Sequence, residues 1–284
     1  MGNIVEKNME CSMIPKKIHY CWFGGNPLPE LAEKCIASWK KYCPDYEIIE
    51  WNEENYNLKS CKFVEEAYKA KKWAFVSDFA RLDIIYNQGG IYLDIDVELL
   101  KKLDDLLEKK AFFAMEKIGL INTGLIFGAE KKNQNVKLLM DEYINIHFKI
   151  SDNVYDQLPC PQRNTHPFLN KGFEKKNEIQ IINNAVIFPP EYFCPIDNET
   201  KECKITAKTY SIHHFGALWI SKEDEKIRKQ FEIYDRKYCK MIATIMKAKY
   251  EYLTIYNVVR INYILKFIND RFQRRKIRKN LEKN

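Results

Sequence analysis

The run GGIYLDIDVE, residues 89–98, constrains this chain more than any other stretch. Ile91, Tyr92, Leu93, Ile95 and Val97 favour a strand, yet Asp94 and Asp96 interrupt them, and strand interiors disfavour Asp. Side chains alternate across a strand, so the two carboxylates share one face while Leu93, Ile95 and Val97 turn to a core. Two carboxylates on one face near a strand end make a hard oxygen site suited to Mg²⁺ or Mn²⁺. Such a site need not enclose its ion, because substrate phosphates and water complete the shell. In an open α/β sheet the place for it is the crevice beyond the carboxyl ends of the strands. The spacing therefore predicts a diphosphate-metal site, and the apolar, β-forming flanks set it apart from an acidic surface turn.

The surrounding pattern supplies the sheet. IPKKIHYCWFGG (14–25) predicts a buried first strand ending in a glycine loop. Residues 27–44 place Leu31, Cys35, Ile36 and Trp39 at helical spacing between prolines, and YEIIEWN (46–52) predicts a second strand. This β-loop-α-β order opens an α/β sheet with parallel strands. A helix is expected over 71–90, with Phe75, Phe79, Leu82, Ile85 and Tyr86 at a 3.6 period and Gly89 as its C′ residue. Asp78 and Arg81, three apart, share a different face of that helix. They read either as a surface ion pair or as the rim of the site. Strands are expected at 111–116, at 121–130, once or twice within 179–195, and at 210–219. A helix is expected at 135–149 and a polar loop over 151–180. From Ser221 the pattern is helical and without glycine, so the expected division is a domain over 1–220 and a helical extension with a basic tail over 221–284.

The net charge of +7 is confined to that tail: residues 260–284 hold nine Lys and Arg against Asp270 and Glu282, and the remainder balances to zero. A nucleic-acid-binding fold spreads its cations over a groove of the domain itself, so nucleic acid is not an expected partner. YLTIYNVVRINYILKFI (252–268) is broken by Asn257, Arg260, Asn262 and Lys266, whereas a spanning helix needs about 20 mostly apolar residues. It reads as a basic amphipathic helix on an anionic membrane surface, or as a packed helix with a solvated basic end. Nine cysteines without a C-x-x-C pair argue for reduced thiols and against a zinc site. No secretory n-region and h-region opens the chain, and Glu6 breaks a myristoylation pattern. The expected location is cytoplasmic, peripheral on the inner membrane face if the tail binds lipid.

Three stretches together, IPKKIHYCWFGG, SDFARLDIIYNQGGIYLDIDV and HHFGALW, resemble the DXD-motif sugar transferases of glycosyltransferase family 32. That family includes initiating α-mannosyltransferases and bacterial capsule and surface-polysaccharide transferases. The glucosyltransferase domains of large clostridial toxins are more distantly similar. The resemblance is densest over 14–130 and returns at 210–219. It implies a GT-A fold, an α/β architecture with a Rossmann-like mixed sheet flanked by helices. It also implies a divalent metal (Mn²⁺ or Mg²⁺), a nucleotide-sugar donor, and retention of anomeric configuration.

By the same resemblance, Trp22 stacks on the nucleotide base, and Asp78 and Arg81 bind the donor sugar. Asp94 contacts ribose and sugar, or the metal through water, and Asp96 is the direct metal ligand. HHFGALW supplies a late metal ligand and a Trp, Trp219, near the leaving phosphate. Spacing from Trp219 favours His214 as the ligand, with His213 as the alternative. Adjacent strand residues face opposite sides, so at most one of the two should reach the metal. Asn122 matches a polar donor-site position toward the acceptor side. Ile85 and Leu218 depart from the pattern, standing where Leu and Ser are common. Asp78, Arg81, Asp94 and Asp96 form the expected catalytic set, with the cation and Arg81 stabilising the departing nucleoside diphosphate. The expected function is hexosyl transfer from a UDP- or GDP-sugar to a glycan or lipid-linked acceptor in surface-polysaccharide synthesis. The alternatives are a metal-dependent phosphoesterase and a non-catalytic sugar-nucleotide-binding protein on the same fold.

Overall fold

The computed structural model describes residues 13–151, 154–156, 158–197, 200, 202–216, 230 and 233. The chain forms two compact units, Met1–Trp219 and Ile220–Asn284, and the fold described is that of the first. Leu218, Trp219 and the expected tail helix lie outside the described residues.

Strand β1 (Lys17–Cys21) is the buried middle of the first half of a mixed sheet. It pairs in parallel with β2 (Glu47–Trp51) on one side and with β3 (Gly90–Tyr92) on the other. Next come β7 (Phe127–Ala129), antiparallel to β3, and β5 (Ala111–Lys117), antiparallel to β7. Then β11 (Ala185–Phe188) runs parallel to β5, and β10 (Gln180–Ile182) closes the edge antiparallel to β11. A short strand, β6 (Leu120–Ile121), hangs from β5. The expected α/β mixed sheet is therefore present.

Helices cover both faces, because alternate strand residues are apolar on both. On one side lie α2 (Lys62–Lys69), α3 (Trp73–Gln88), α4 (Gln134–Ile144) and α5 (Cys160–Leu169). Their Phe63, Val76, Phe79, Leu139 and Phe168 pack with Tyr92, Phe113 and Phe127 of the sheet. On the other side α1 (Glu30–Tyr42) packs Cys35, Ile36 and Trp39 with Ile18, Ile91 and Phe112. Each such side chain, fully buried, contributes about 1.5–3 kcal/mol. Glu30 and Glu33 in the first turn of α1, with Lys40 and Lys41 in its last, complement its dipole.

The turn from α3 into β3 requires its glycines. Gly89 has φ +66° and donates to Ile85 O at 2.8 Å. Gly90 has φ +107°, and a Cβ there would lie 2.9 Å from both His19 Nε2 and Lys17 O. His19 pins this turn: its Nδ1 accepts from Trp51 Nε1 and its Nε2 donates to Gly89 O, each at 3.0 Å. Burial holds the imidazole down to about 4, so it is neutral.

Several expectations are corrected. The run 91–99 is not one strand: β3 ends at Tyr92, and β4 (Val97–Leu99) pairs elsewhere, with β12 (Ser211–His213). The run 121–130 is interrupted by a turn between β6 and β7. The helix expected over 135–149 ends at Ile144, and Lys149–Ser151 forms a strand, β8, paired with β9 (Val154–Tyr155). The polar stretch 151–180 contains α5, and α2 is a further helix between β2 and α3. Those additional helices change α3. Asp78 and Arg81 are 7% and 4% exposed, not a surface pair, with Tyr92 and Asp94 at the sheet end and Cys160 of α5 packed around them. Among the described residues no helix is long and apolar enough to cross a membrane.

Candidate active site

The parallel strands β1 and β3 end at the same edge of the sheet, with Leu93 N–H on His19 O at 3.0 Å. Beyond it the chain turns, and Val97 N–H closes on Asp94 O at 3.0 Å. The two aspartates thus sit in a turn past the strand, which removes the local cost of Asp in a strand interior. Ile95 still packs into the α1-side core. Trp39 Nε1 of α1 donates to Val97 O at 2.7 Å, and Leu99 N–H donates to Ser38 Oγ at 2.9 Å, so α1 fastens the strand that leaves the turn.

Pairing of β12 with β4, Ile212 opposite Glu98 and His213 opposite Val97, carries a histidine onto this turn. His213 Nε2 lies 3.2 Å from Asp96 Oδ1. Gly216 N–H donates to Asp96 Oδ2 at 2.8 Å, and His214 N–H to Asp96 O at 3.0 Å. Burial acts to raise Asp96, but the His213 imidazole and the Gly216 N–H outweigh it and hold the carboxyl below its usual range. Reciprocally, burial acts to lower His213, but Asp96 raises it overall. Asp94, Asp96 and His213 each present a ligand atom, all within 4.8 Å of one another. His213 Nδ1 is buried without a hydrogen-bond partner, and two oxygens with one imidazole suit a divalent cation of the Mg²⁺ or Mn²⁺ kind. The residues fit such an ion. His214 corrects the preference read from spacing, since it turns away and its Nε2 meets Glu98 Oε2 at 2.8 Å.

Behind Asp94 lies a buried cation. Arg81 Nη2 is 3.2 Å from Asp78 Oδ1 and 3.4 Å from Asp94 Oδ1, and its Nε donates to Ser77 O at 3.0 Å. Its guanidinium stands 5.1 Å from the Tyr92 ring centre, and Tyr92 Oη donates to Asp94 Oδ1 at 2.9 Å. Burial pushes Asp78 up to about 6, a rise that Arg81 restrains and Asp94 adds to. Burial likewise raises Asp94, against Arg81. Asn122 donates to Glu116 Oε2 at 2.7 Å and accepts from Gly124 N–H at 2.7 Å, and Gly124 O accepts from Asp94 N–H at 3.2 Å. From α5, Cys160 Sγ lies 3.7 Å from Arg81 Nη1, and Asn164 Nδ2 donates to Cys160 Sγ at 3.0 Å and Thr123 Oγ1 at 2.8 Å. Burial pushes the Cys160 thiol up to about 12, so it is a neutral packing group and not a nucleophile near pH 7. Trp22 follows β1 at the same sheet edge, half-buried, with its indole donating to Asn26 O at 2.6 Å rather than joining the carboxylates.

Residues 29–113, which hold Asp78, Arg81, Asp94 and Asp96, match the family described as glycosyltransferase sugar-binding region containing DXD motif. The resemblance to DXD-motif sugar transferases is thereby borne out. Inositol phosphoceramide mannosyltransferase 1 of Schizosaccharomyces pombe is 32% identical over 126 residues, covering 40% of this chain and 38% of that one. Inositol phosphoceramide mannosyltransferase 3 of the same yeast is 31% identical and is covered over 30% of its length. The chain thus spans well under half of these two relatives. The uncharacterized glycosyltransferase L373 of Acanthamoeba polyphaga mimivirus is 26% identical, with 71% of this chain and 82% of that one covered. Among solved structures, the PaToxG glycosyltransferase resembles the chain at a TM-score of 0.43 and 17% identity, covering 56% of this chain and 70% of its own. A glycosyltransferase involved in glycosylation of the PBCV-1 major capsid does so at 0.42 and 14%, covering 71% and 95%.

In and around the matched stretch, Tyr92, Gly124 and Cys160 touch Asp94, Arg81 or Asp78, and Thr123 and Asn164 hold Cys160, without having been singled out from the sequence. Tyr92 lies in the quoted run itself. The pair Pro159 and Pro161, at the first turn of a helix where no N–H is needed, was the available signal for α5. Gly124 is a matter of space: a Cβ would sit inside contact distance of Asp94 Oδ2 and 2.9 Å from Arg81 Nη1. Gly124→Ala is expected to cost about 1–3 kcal/mol by overpacking and to push Asp94 off Arg81. A melt of the variant, several degrees below wild type, checks the first part. A nucleotide titration weakened about tenfold checks the second.

Proposed function

We propose that this protein is a metal-dependent, retaining glycosyltransferase that moves a hexose from a nucleotide sugar to a glycan or lipid-linked acceptor, with a role in surface-glycan synthesis. The observation that carries this reading is the convergence of Asp94, Asp96 and His213 at one sheet edge, with the Arg81 cation behind them, within and beside a DXD sugar-binding region. The chemistry has to accommodate negative charge that builds on a departing nucleoside diphosphate. Asp94, Asp96 and His213 would hold Mn²⁺ or Mg²⁺, which when bound supplies Lewis-acid and templating chemistry to that group. Arg81 fixes the Asp94 carboxylate and contributes a permanent positive charge in a water-poor layer, where charge acts more strongly than in bulk water. Tyr92 Oη holds the same carboxylate oxygen. Trp22, at the same edge, offers a ring for the base, and Asn122 keeps the Gly124 loop against Asp94. With Cys160 held as a neutral thiol, attack by the acceptor hydroxyl from the leaving-group face fits retention without a nucleophile from this residue.

Because the yeast relatives are named as inositol phosphoceramide mannosyltransferases, mannose is the first hexose to test and a phosphoinositol-bearing lipid the first acceptor. The phosphoesterase alternative draws less support, since two-metal sites need further ligands and the described residues gather one such group. The test is a thermal-shift panel of UDP, GDP, CMP and their hexose conjugates, each with and without Mn²⁺. A ligand at 100 times its Kd stabilises by about 2.7 kcal/mol, well within reach of a melt. The expected result is a shift with one nucleoside diphosphate and its sugar, only when Mn²⁺ is present. No shift with any of them overturns the reading.

A further inference from the structure

We propose that Glu98 is a positioning residue: by holding His214, it selects which of the two adjacent histidines faces Asp96, and so aligns His213 for the metal. This rests on the reading of Asp94, Asp96 and His213 as a cation site. The need for such a device follows from the topology. Strand β12 has three residues, and among the described residues its sheet consists of β12 and β4 alone. A ribbon that short is marginal by itself, so its register and orientation must be fixed from outside the ladder. At its start the fixing is by backbone, with Leu100 N–H on Tyr210 O and Tyr210 N–H on Tyr192 O, at 2.8 and 2.7 Å. At its far end, beside the metal ligands, the side-chain contact is His214 Nε2 with Glu98 Oε2 at 2.8 Å. Lys34 of α1 reaches the same oxygen at 3.7 Å.

Glu98 therefore joins β4, the exit from β12 and α1 at one point. Neighbouring residues at a strand end face opposite sides. With His214 turned to Glu98, His213 is turned to Asp96, and a twist bringing His214 inward would carry His213 out. The Glu98 and His214 side chains are 23% and 24% exposed, so the contact is partly screened but still directional. His213, by contrast, has no hydrogen bond on Nδ1 that could orient its ring. Its Nε2 contact with Asp96 at 3.2 Å and the Phe215 ring 4.3 Å away hold it once it faces inward, and the choice of which histidine faces inward is left to the neighbour. Partners that orient a ligating histidine typically matter about 10- to 100-fold in metal affinity.

The experiment titrates the full-length, metal-free chain with Mn²⁺ and follows free Mn²⁺ by its EPR signal. Glu98→Ala and His214→Ala are each expected to weaken binding about tenfold, and the double variant no further, because both remove one contact. Glu98→Gln keeps an acceptor for His214 and is expected to bind nearly as wild type, a rescue that a bulk structural role of the charge would not give. Wild-type Mn²⁺ affinity in Glu98→Ala overturns the proposal. So does loss of binding in His214→Ala with Glu98→Ala unaffected, which would make His214 itself the ligand. Asp96→Asn in the same titration separates the two levels: if it binds Mn²⁺ as wild type does, the metal site fails and the positioning role with it. If Asp96→Asn loses binding while Glu98→Ala keeps it, only the positioning role fails.

Discussion

Asp96→Asn is expected to lower metal-dependent nucleoside diphosphate release by at least about a thousandfold while leaving the fold intact. The side chains are isosteric, and the Asn carbonyl can still accept from Gly216 N–H, so the turn keeps its shape. What is lost is the negative charge beside His213 and its use as a ligand. A thousandfold is about 4 kcal/mol, the size expected when a cation that stabilises a developing diphosphate loses its direct anionic ligand. Without metal the substitution also has a modest stability cost with a defined pH window. Asp96 is held low, so its contribution is present above the unfolded carboxylate range and fades as pH falls. His213 is held high, so its contribution is present below the unfolded imidazole range and fades as pH rises through its raised value. The ion pair therefore stabilises most between those limits, in mildly acidic solution, and the metal-free melts of variant and wild type should diverge there. Turnover at the wild-type rate in Asp96→Asn, at equal Mn²⁺, would remove Asp96 from the mechanism.

How much of this could be read from residues alone depends on how local each cause is. Strand β1, helix α1, strand β2 and helix α3 were legible because their periodicity and their Gly and Pro boundaries lie within the segment itself. The Asp94 and Asp96 pair was legible for the same reason: its meaning is carried by flanks one and two residues away. Which histidine turns inward was not legible, because it depends on a pairing between β12 and β4, segments more than a hundred residues apart. Helix α5 was hidden by composition. Gln162, Arg163, Asn164 and His166 with Pro167 read as a loop, yet Arg163 pairs with Asp156 at 2.7 Å and lies over the Phe63 and Tyr143 rings, while Asn164 donates to Thr123 Oγ1 at 2.8 Å, and Phe63, Tyr143 and Thr123 lie outside any local window. The burial of Asp78 and Arg81 was hidden by charge. Ions are expected at the surface unless paired, and the second partner of Arg81, Asp94, arrives from the turn after β3.

That burial sets the largest stability effect expected of a single substitution at the site. Arg81→Met keeps the bulk of the side chain but leaves Asp78 and Asp94 as neighbouring carboxylates without their cation. Removing one member of a buried ion pair costs about 3–5 kcal/mol, because the partner's charge stays behind uncompensated. For a chain of this size that is a drop on the order of 10 °C in Tm. The sign of the Asp78 shift supplies an internal check. Its carboxyl is raised from about 4 to about 6, so the folded state holds a proton that the unfolded chain releases. Its contribution to stability is thus full below pH 4 and lost as pH rises through 6. Loss of Arg81 pushes Asp78 higher still, so Arg81→Met should recover stability on acidification across that window. Asp78→Asn combined with Arg81→Met should recover a large part of the loss at neutral pH, since it removes one of the two stranded charges. If Arg81→Met instead melts within a degree of wild type at pH 7.5, the guanidinium is not what neutralises these carboxylates, and the electrostatic account of the layer behind Asp94 fails.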